Sequence, residues 1–171
     1  MQQEVLDQVD REHIVEMACN LANIVSITGD EENVARYLGS EFEKLGMNVE
    51  YQYVEDGRPN VIGTLKGTGG GATLMFNAHM DHFDAPQETV VDEDRIYGRG
   101  LVNMKAAFPC YIEAVSALQK AGATLKRATG RSRALLLPSG GLACSDRFGG
   151  THDLLHRVRC STTGPRASAG T

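Results

Sequence analysis

The run Leu74-Met75-Phe76, followed at once by Asn77-Ala78-His79-Met80-Asp81-His82, constrains the fold of this chain more than any other stretch. Successive side chains on a strand point to opposite faces, so consecutive apolar residues need cover on both sides. That predicts a central strand with a layer against each face. His79 and Asp81 then fall just past the strand end, two apart, and point the same way on an extended chain. A histidine that ligates a metal usually carries a carboxylate on its other ring nitrogen, which fixes the tautomer and raises basicity. His-x-Asp at a strand end can supply the ligand, with Asp81 orienting it or meeting a catalytic partner. Taken alone the pattern is common by chance.

The flanking periodicity supplies the layers. Ile14, Met17, Leu21 and Ile24 recur at helical spacing within 10–27. "TGDEEN" restarts a helix with Asp30 as the expected N-cap. Val34, Leu38, Phe42 and Leu45 form its apolar stripe, and Gly46 ends it. "MNVEYQYV" alternates as a strand with one wet face, and "EDGRPN" reads as a turn. "VIGTLKG" and "ATLMFNA" are two further strands, with the Gly-rich "GTGGG" between them as a hairpin turn. That turn lacks the Gly-Lys-Ser/Thr ending and following helix of a phosphate loop. "VVDEDRIYG" predicts a short hairpin turning at Asp92–Asp94. From Asn103 to Ala121 the spacing of Met104, Phe108, Tyr111, Val115 and Leu118 predicts a helix closed by Gly122, with Pro109 early enough to be tolerated. The order predicts a mixed α/β layer.

Composition narrows the function classes. Of the 171 residues, 1–126 carry a net charge of −10 and 127–171 a net charge of +5. An acidic body argues against nucleic acid as a partner. No apolar run approaches the ~20 residues of a membrane span. The polar, acidic opening "MQQEVLDQVDRE" matches neither a secretory signal nor a transit peptide, so the expected compartment is the cytoplasm. Cys19, Cys110, Cys144 and Cys160 form no CxxC pair and read as reduced thiols.

"YGRGLVNMKAA" is the second chemically suggestive stretch. Its glycines permit a tight turn into the helix. By itself Asn103 reads as an N-cap, for which Asn is among the best residues.

Together, strand–His-Met-Asp, a short loop, "RIYGRG", two residues, an acid or amide, "MK" and an apolar helix resemble one family. It is the zinc-dependent metallopeptidase and deacylase family of acetylornithine deacetylase, succinyl-diaminopimelate desuccinylase and aminoacylase. The resemblance covers roughly 10–126 and implies the N-terminal portion of a three-layer αβα catalytic domain with a mixed sheet, incomplete here and without the lid or dimerisation domain. It implies His79 as a metal ligand and Asp81 as the carboxylate that orients it. Asn103 takes the place where relatives usually have a bridging Asp. Gly98, Arg99, Gly100 and Lys105 match the supporting loop and helix start. His82 has no family role and reads as a solvated or hydrogen-bonded histidine.

In intact relatives two zinc (or cobalt) ions activate water, a glutamate in the next loop moves the proton, and a small N-acyl amino acid or peptide is cleaved. Those relatives are often homodimers. Asn103 adds no charge between two dications, so at most one weak site is expected here. The glutamate is due around 138–146, yet 127–171 contains no Glu at all. That segment also lacks Lys, Ile, Asn, Gln, Tyr and Met, and Gly, Ala, Arg and Pro make up 21 of its 45 residues. It reads as a basic disordered tail, or as sequence translated out of frame after residue 126. His152 and His156 have the spacing of ligands, but only a faint likeness to the family supports them. The expectation is a truncated, inactive hydrolase, with a non-catalytic relative as the alternative.

Overall fold

The structure is a computed structural model that describes residues 2–68, 74–84, 86–123 and the backbone of 135–137. The helices are α1 (Gln2–Leu6), α2 (Arg11–Asn23), α3 (Glu32–Lys44) and α4 (Ala107–Lys120). The strands are β1 (Asn48–Glu55), β2 (Arg58–Thr64), β3 (Met75–Asn77), β4 (Val90–Val91), β5 (Ile96–Tyr97) and β6 (Leu135–Leu137). A wide turn, Leu101–Lys105, leads into α4.

α2 starts where Asp10 accepts a hydrogen bond from the His13 amide, as an N-cap should. The expected stripe of α3 is buried: Val34, Leu38 and Phe42 have no exposed surface. They pack with Met17 and Leu21 of α2, Val61 of β2, and Phe108, Ile112 and Val115 of α4 in one apolar cluster. Neighbouring Val61 and Ile62 are both buried, so β2 is covered on both faces. α3 lies against β1 and β2, and α2 against α4.

Three sequence expectations change. Asp30 does not cap α3; Glu31 holds the N-cap position and makes no side-chain cap bond. The Glu31 carboxylate instead accepts from the Gly29 amide and the Arg58 guanidinium. Second, β2 and β3 do not form a hairpin. The sheet order is β1-β2-β6-β3, with β6 antiparallel to β2 and parallel to β3, so β6 separates the two strands. Third, β3 was expected to be central, but among the described residues it pairs on one side only, and Leu74 is 62% exposed.

β6 comes from within 127–171, so those three residues belong to the sheet rather than to a separate tail. The rest of that segment, including the positions of His152 and His156, lies outside the described residues, as do Cys144 and Cys160. Cys19 and Cys110 are free thiols. Among the described residues no helix is long and apolar enough to cross a membrane.

Candidate metal centre

The segment 78–82 leaves β3 and is fastened to the loop after α2. The Ser26 hydroxyl donates to the Met80 carbonyl at 2.7 Å, and the His82 amide donates to the Ser26 carbonyl at 2.9 Å. The Ser26 amide donates to His82 Nε2 at 3.1 Å, while His82 Nδ1 meets the Phe83 carbonyl at 2.6 Å. An amide can only donate and a carbonyl only accept, so His82 is the neutral Nδ1–H tautomer. It is buried with both ring nitrogens satisfied, a structural histidine.

His79 is arranged differently. Its Nδ1 donates to Asp81 Oδ1 at 3.0 Å, and in the neutral ring that leaves a lone pair on Nε2. That lone pair faces Asn103 Oδ1 at 3.0 Å. The second carboxylate oxygen, Asp81 Oδ2, accepts from the Thr28 hydroxyl at 2.6 Å.

Asn103 reaches this point because its backbone is not helical. Its φ and ψ are −135° and 86°, and the peptide bond to Met104 is cis. The expected N-cap role therefore fails: α4 begins four residues later, after Ala106. The turn upstream needs its glycines for different reasons. A Cβ on Gly98 would lie 2.6 Å from the Cβ of Ala22, closer than packed carbons allow. Gly100 has a φ of +71°, which disfavours any side chain.

Lys105 closes the turn onto α2. Its ammonium donates to the carbonyls of Leu21 at 2.9 Å and Ile24 at 2.8 Å, and the residue has no exposed surface. These carbonyls belong to the C-terminal end of α2, where a cation is favoured. Burial, reinforced by the charge of Arg99, lowers the Lys105 pKa to about 8. Arg99 Nε is itself buried, with no hydrogen-bond partner among the described residues.

The structure thus brings His79, Asp81 and Asn103 together, with Gly98, Arg99, Gly100 and Lys105 in or beside the turn that carries Asn103. The spacing of the two donor atoms suits a borderline cation. Zinc bonds of about 2.0–2.1 Å at a tetrahedral angle put ligand atoms about 3.3 Å apart. Imidazole nitrogen and amide oxygen are both acceptable donors, and the carboxylate behind the imidazole is the usual support. Among the described residues no group of three or more His, Cys, Asp or Glu that could hold a metal ion converges. Thr28 was not identified from sequence. It sits in a short loop with no periodicity, and only proximity to Asp81 singles it out.

The site therefore sits on an α/β layer, with a His-x-Asp past a strand end facing Asn103 in the turn before α4. The chain is 28% identical over 114 residues to a peptidase M20 domain-containing protein of Schizosaccharomyces pombe, covering 65% of this chain and 28% of that protein. It is 30% identical over 112 residues to succinyl-diaminopimelate desuccinylase of Anaplasma marginale, covering 61% of this chain and 29% of the relative. In structure it matches the aminopeptidase PepT of Bacillus cereus with a TM-score of 0.64 at 21% identity, covering 77% of this chain and 37% of that one. No family model matches the sequence. The chain is thus similar in sequence to M20 peptidases over about two thirds of its length, and its fold resembles part of the PepT structure. It spans less than a third of the length of these two curated relatives.

Proposed function

We propose that this chain carries the His79–Asn103 half of a metal centre for amide hydrolysis, acting on an N-acyl amino acid or a small peptide. The observation that carries this reading is the His79 Nε2 to Asn103 Oδ1 approach of 3.0 Å. Two lone pairs converge there, which is unfavourable until a cation lies between them. His79 and Asn103 would hold zinc or cobalt, and such an ion polarises a scissile carbonyl and lowers the pKa of water. Asp81 keeps a proton on His79 Nδ1 and so keeps Nε2 free. The substrate class rests on the relatives, which include a desuccinylase.

On its own this stretch of chain would bind one ion weakly and hydrolyse at background rate. Asn103 contributes no charge, and 127–171 contains no Glu to act as general base. The second reading is a non-catalytic relative. With its amide turned, Asn103 would donate Nδ2–H to His79 Nε2 and close the pair as a neutral hydrogen bond.

Zinc titration by calorimetry separates the two. One bound equivalent, lost in both His79→Ala and Asn103→Ala, supports the metal site, and no uptake supports the closed pair. Hydrolysis of an N-acetyl amino acid with added zinc or cobalt tests the rest. Metal-dependent turnover abolished by His79→Ala would show that the chain is active alone, against the background rate proposed.

A further inference from the structure

We propose that Thr28 is a positioning residue: its hydroxyl fixes the Asp81 carboxylate, and through it the tautomer of His79, so that Nε2 is the nitrogen left free. This rests on the reading of His79 as a ligand.

The Asp81 carboxylate is held at both oxygens by groups from different parts of the chain. His79 Nδ1 occupies Oδ1 at 3.0 Å, and the Thr28 hydroxyl occupies Oδ2 at 2.6 Å. A carboxylate held at one oxygen can swing about its Cβ–Cγ bond. Held at both, it swings only by breaking two hydrogen bonds. The shorter of the two falls in the range for a hydroxyl bonded to an ionised acceptor, the stronger kind of hydrogen bond.

The loop that carries Thr28 is fastened on both sides, which a merely incidental surface contact does not require. Upstream, Ser26 is bonded to Met80 and His82, and Ile27 forms a parallel bridge with His82. Downstream, the Asp30 amide donates to the Ile27 carbonyl at 2.8 Å, and the Gly29 amide donates to Glu31 Oε1 at 2.9 Å. Glu31 is buried and gripped by Arg58 at 3.0 and 3.3 Å. Arg58 stands at the start of β2 and also pairs with Glu55 at 3.0 Å. The stretch "SITGDEE" thus sets one loop in register with another, and its single side-chain contact to the His79–Asp81 pair is Thr28. The sequence pattern assigned this stretch only a helix start.

Thr28→Val keeps the side-chain shape and removes the donor, while Thr28→Ser keeps the donor. Thr28 is exposed, so neither change leaves a cavity. The test is long-range proton–nitrogen correlation of the histidine rings in the full chain, at one mildly alkaline pH. The wild type should show His79 as Nδ1–H, Thr28→Val a mixture of tautomers, and Thr28→Ser the wild-type signal. His82 is the internal control, because its partners are backbone groups of Ser26 and Phe83 and should hold it as Nδ1–H throughout. Zinc affinity should fall about tenfold in Thr28→Val and return in Thr28→Ser. His79 remaining wholly Nδ1–H in both Thr28→Val and Thr28→Ala overturns the proposal. A tautomer change in a chain that takes up no zinc would sustain the positioning role and remove the metal reading instead.

Discussion

The Lys105 ammonium donates to the Leu21 carbonyl at 2.9 Å from a side chain with no solvent exposure. A second bond to Ile24 makes this residue the tie between the end of α2 and the turn that presents Asn103. Lys105→Met should keep the bulk but strand two carbonyls, at a cost of about 2–3 kcal/mol. Urea unfolding measures it.

The same lysine predicts an unusual pH dependence. Its folded pKa of about 8 lies below the ordinary lysine value of 10.5 because burial, then Arg99, disfavours the charge. Between these values the unfolded chain binds more protons, so unfolding free energy should rise with pH. The penalty is fully present below about pH 8 and is relieved as pH climbs toward the unfolded value. Denaturant curves at pH 7.5, 8.5 and 9.5, about evenly spaced across the onset of this window, should show the rise in wild type but not in Lys105→Met.

Asn103→Asp should strengthen zinc binding by about tenfold or more, since it adds a negative charge 3.0 Å from His79 Nε2. Calorimetry on both proteins gives the ratio. An unchanged affinity would mean that residue 103 does not touch the ion.

Glu113 is a buried carboxylate that accepts from the Asp10 amide at 3.0 Å and meets His13 Nδ1 at 2.7 Å. It ties the start of α2 to α4. Glu113→Ala should cost about 3 kcal/mol by stranding these partners, and Glu113→Gln roughly half as much because an acceptor survives. Thermal melts rank the two.

Gly98→Ala places a methyl 2.6 Å from the Ala22 Cβ and 3.0 Å from Leu101 Cδ1. Overpacking of this kind costs about 1–3 kcal/mol. Zinc affinity should fall with it, because the turn that carries Asn103 must shift away from α2.

Much of the fold was legible because its signals are local. The stripe Val34, Leu38 and Phe42 is a helical repeat, and it is buried as expected. The hairpin of β4 and β5 turns at Asp92, whose amide donates to the Arg95 carbonyl at 2.8 Å. The neighbour of β3 was not legible, since strand order depends on which distant segment fills the gap. Here that segment is Leu135–Leu137. The capping rule misplaced both Asp30 and Asn103. At those positions cross-loop bonds, rather than the helix, decide where the backbone turns.

The sequence by itself determined the α/β class, the stripes that form the core, and the placing of His79 and Asp81 on one side of the chain past a strand, because each depends on residues a few positions apart. Only the tertiary structure decided that Asn103 leaves the helix to face His79, that Thr28 holds the far side of Asp81, and that Lys105 is buried at the end of α2. Those relations join residues 24, 53 and 84 positions apart. No local periodicity encodes them; they arise when the packed core brings separate loops within hydrogen-bond reach.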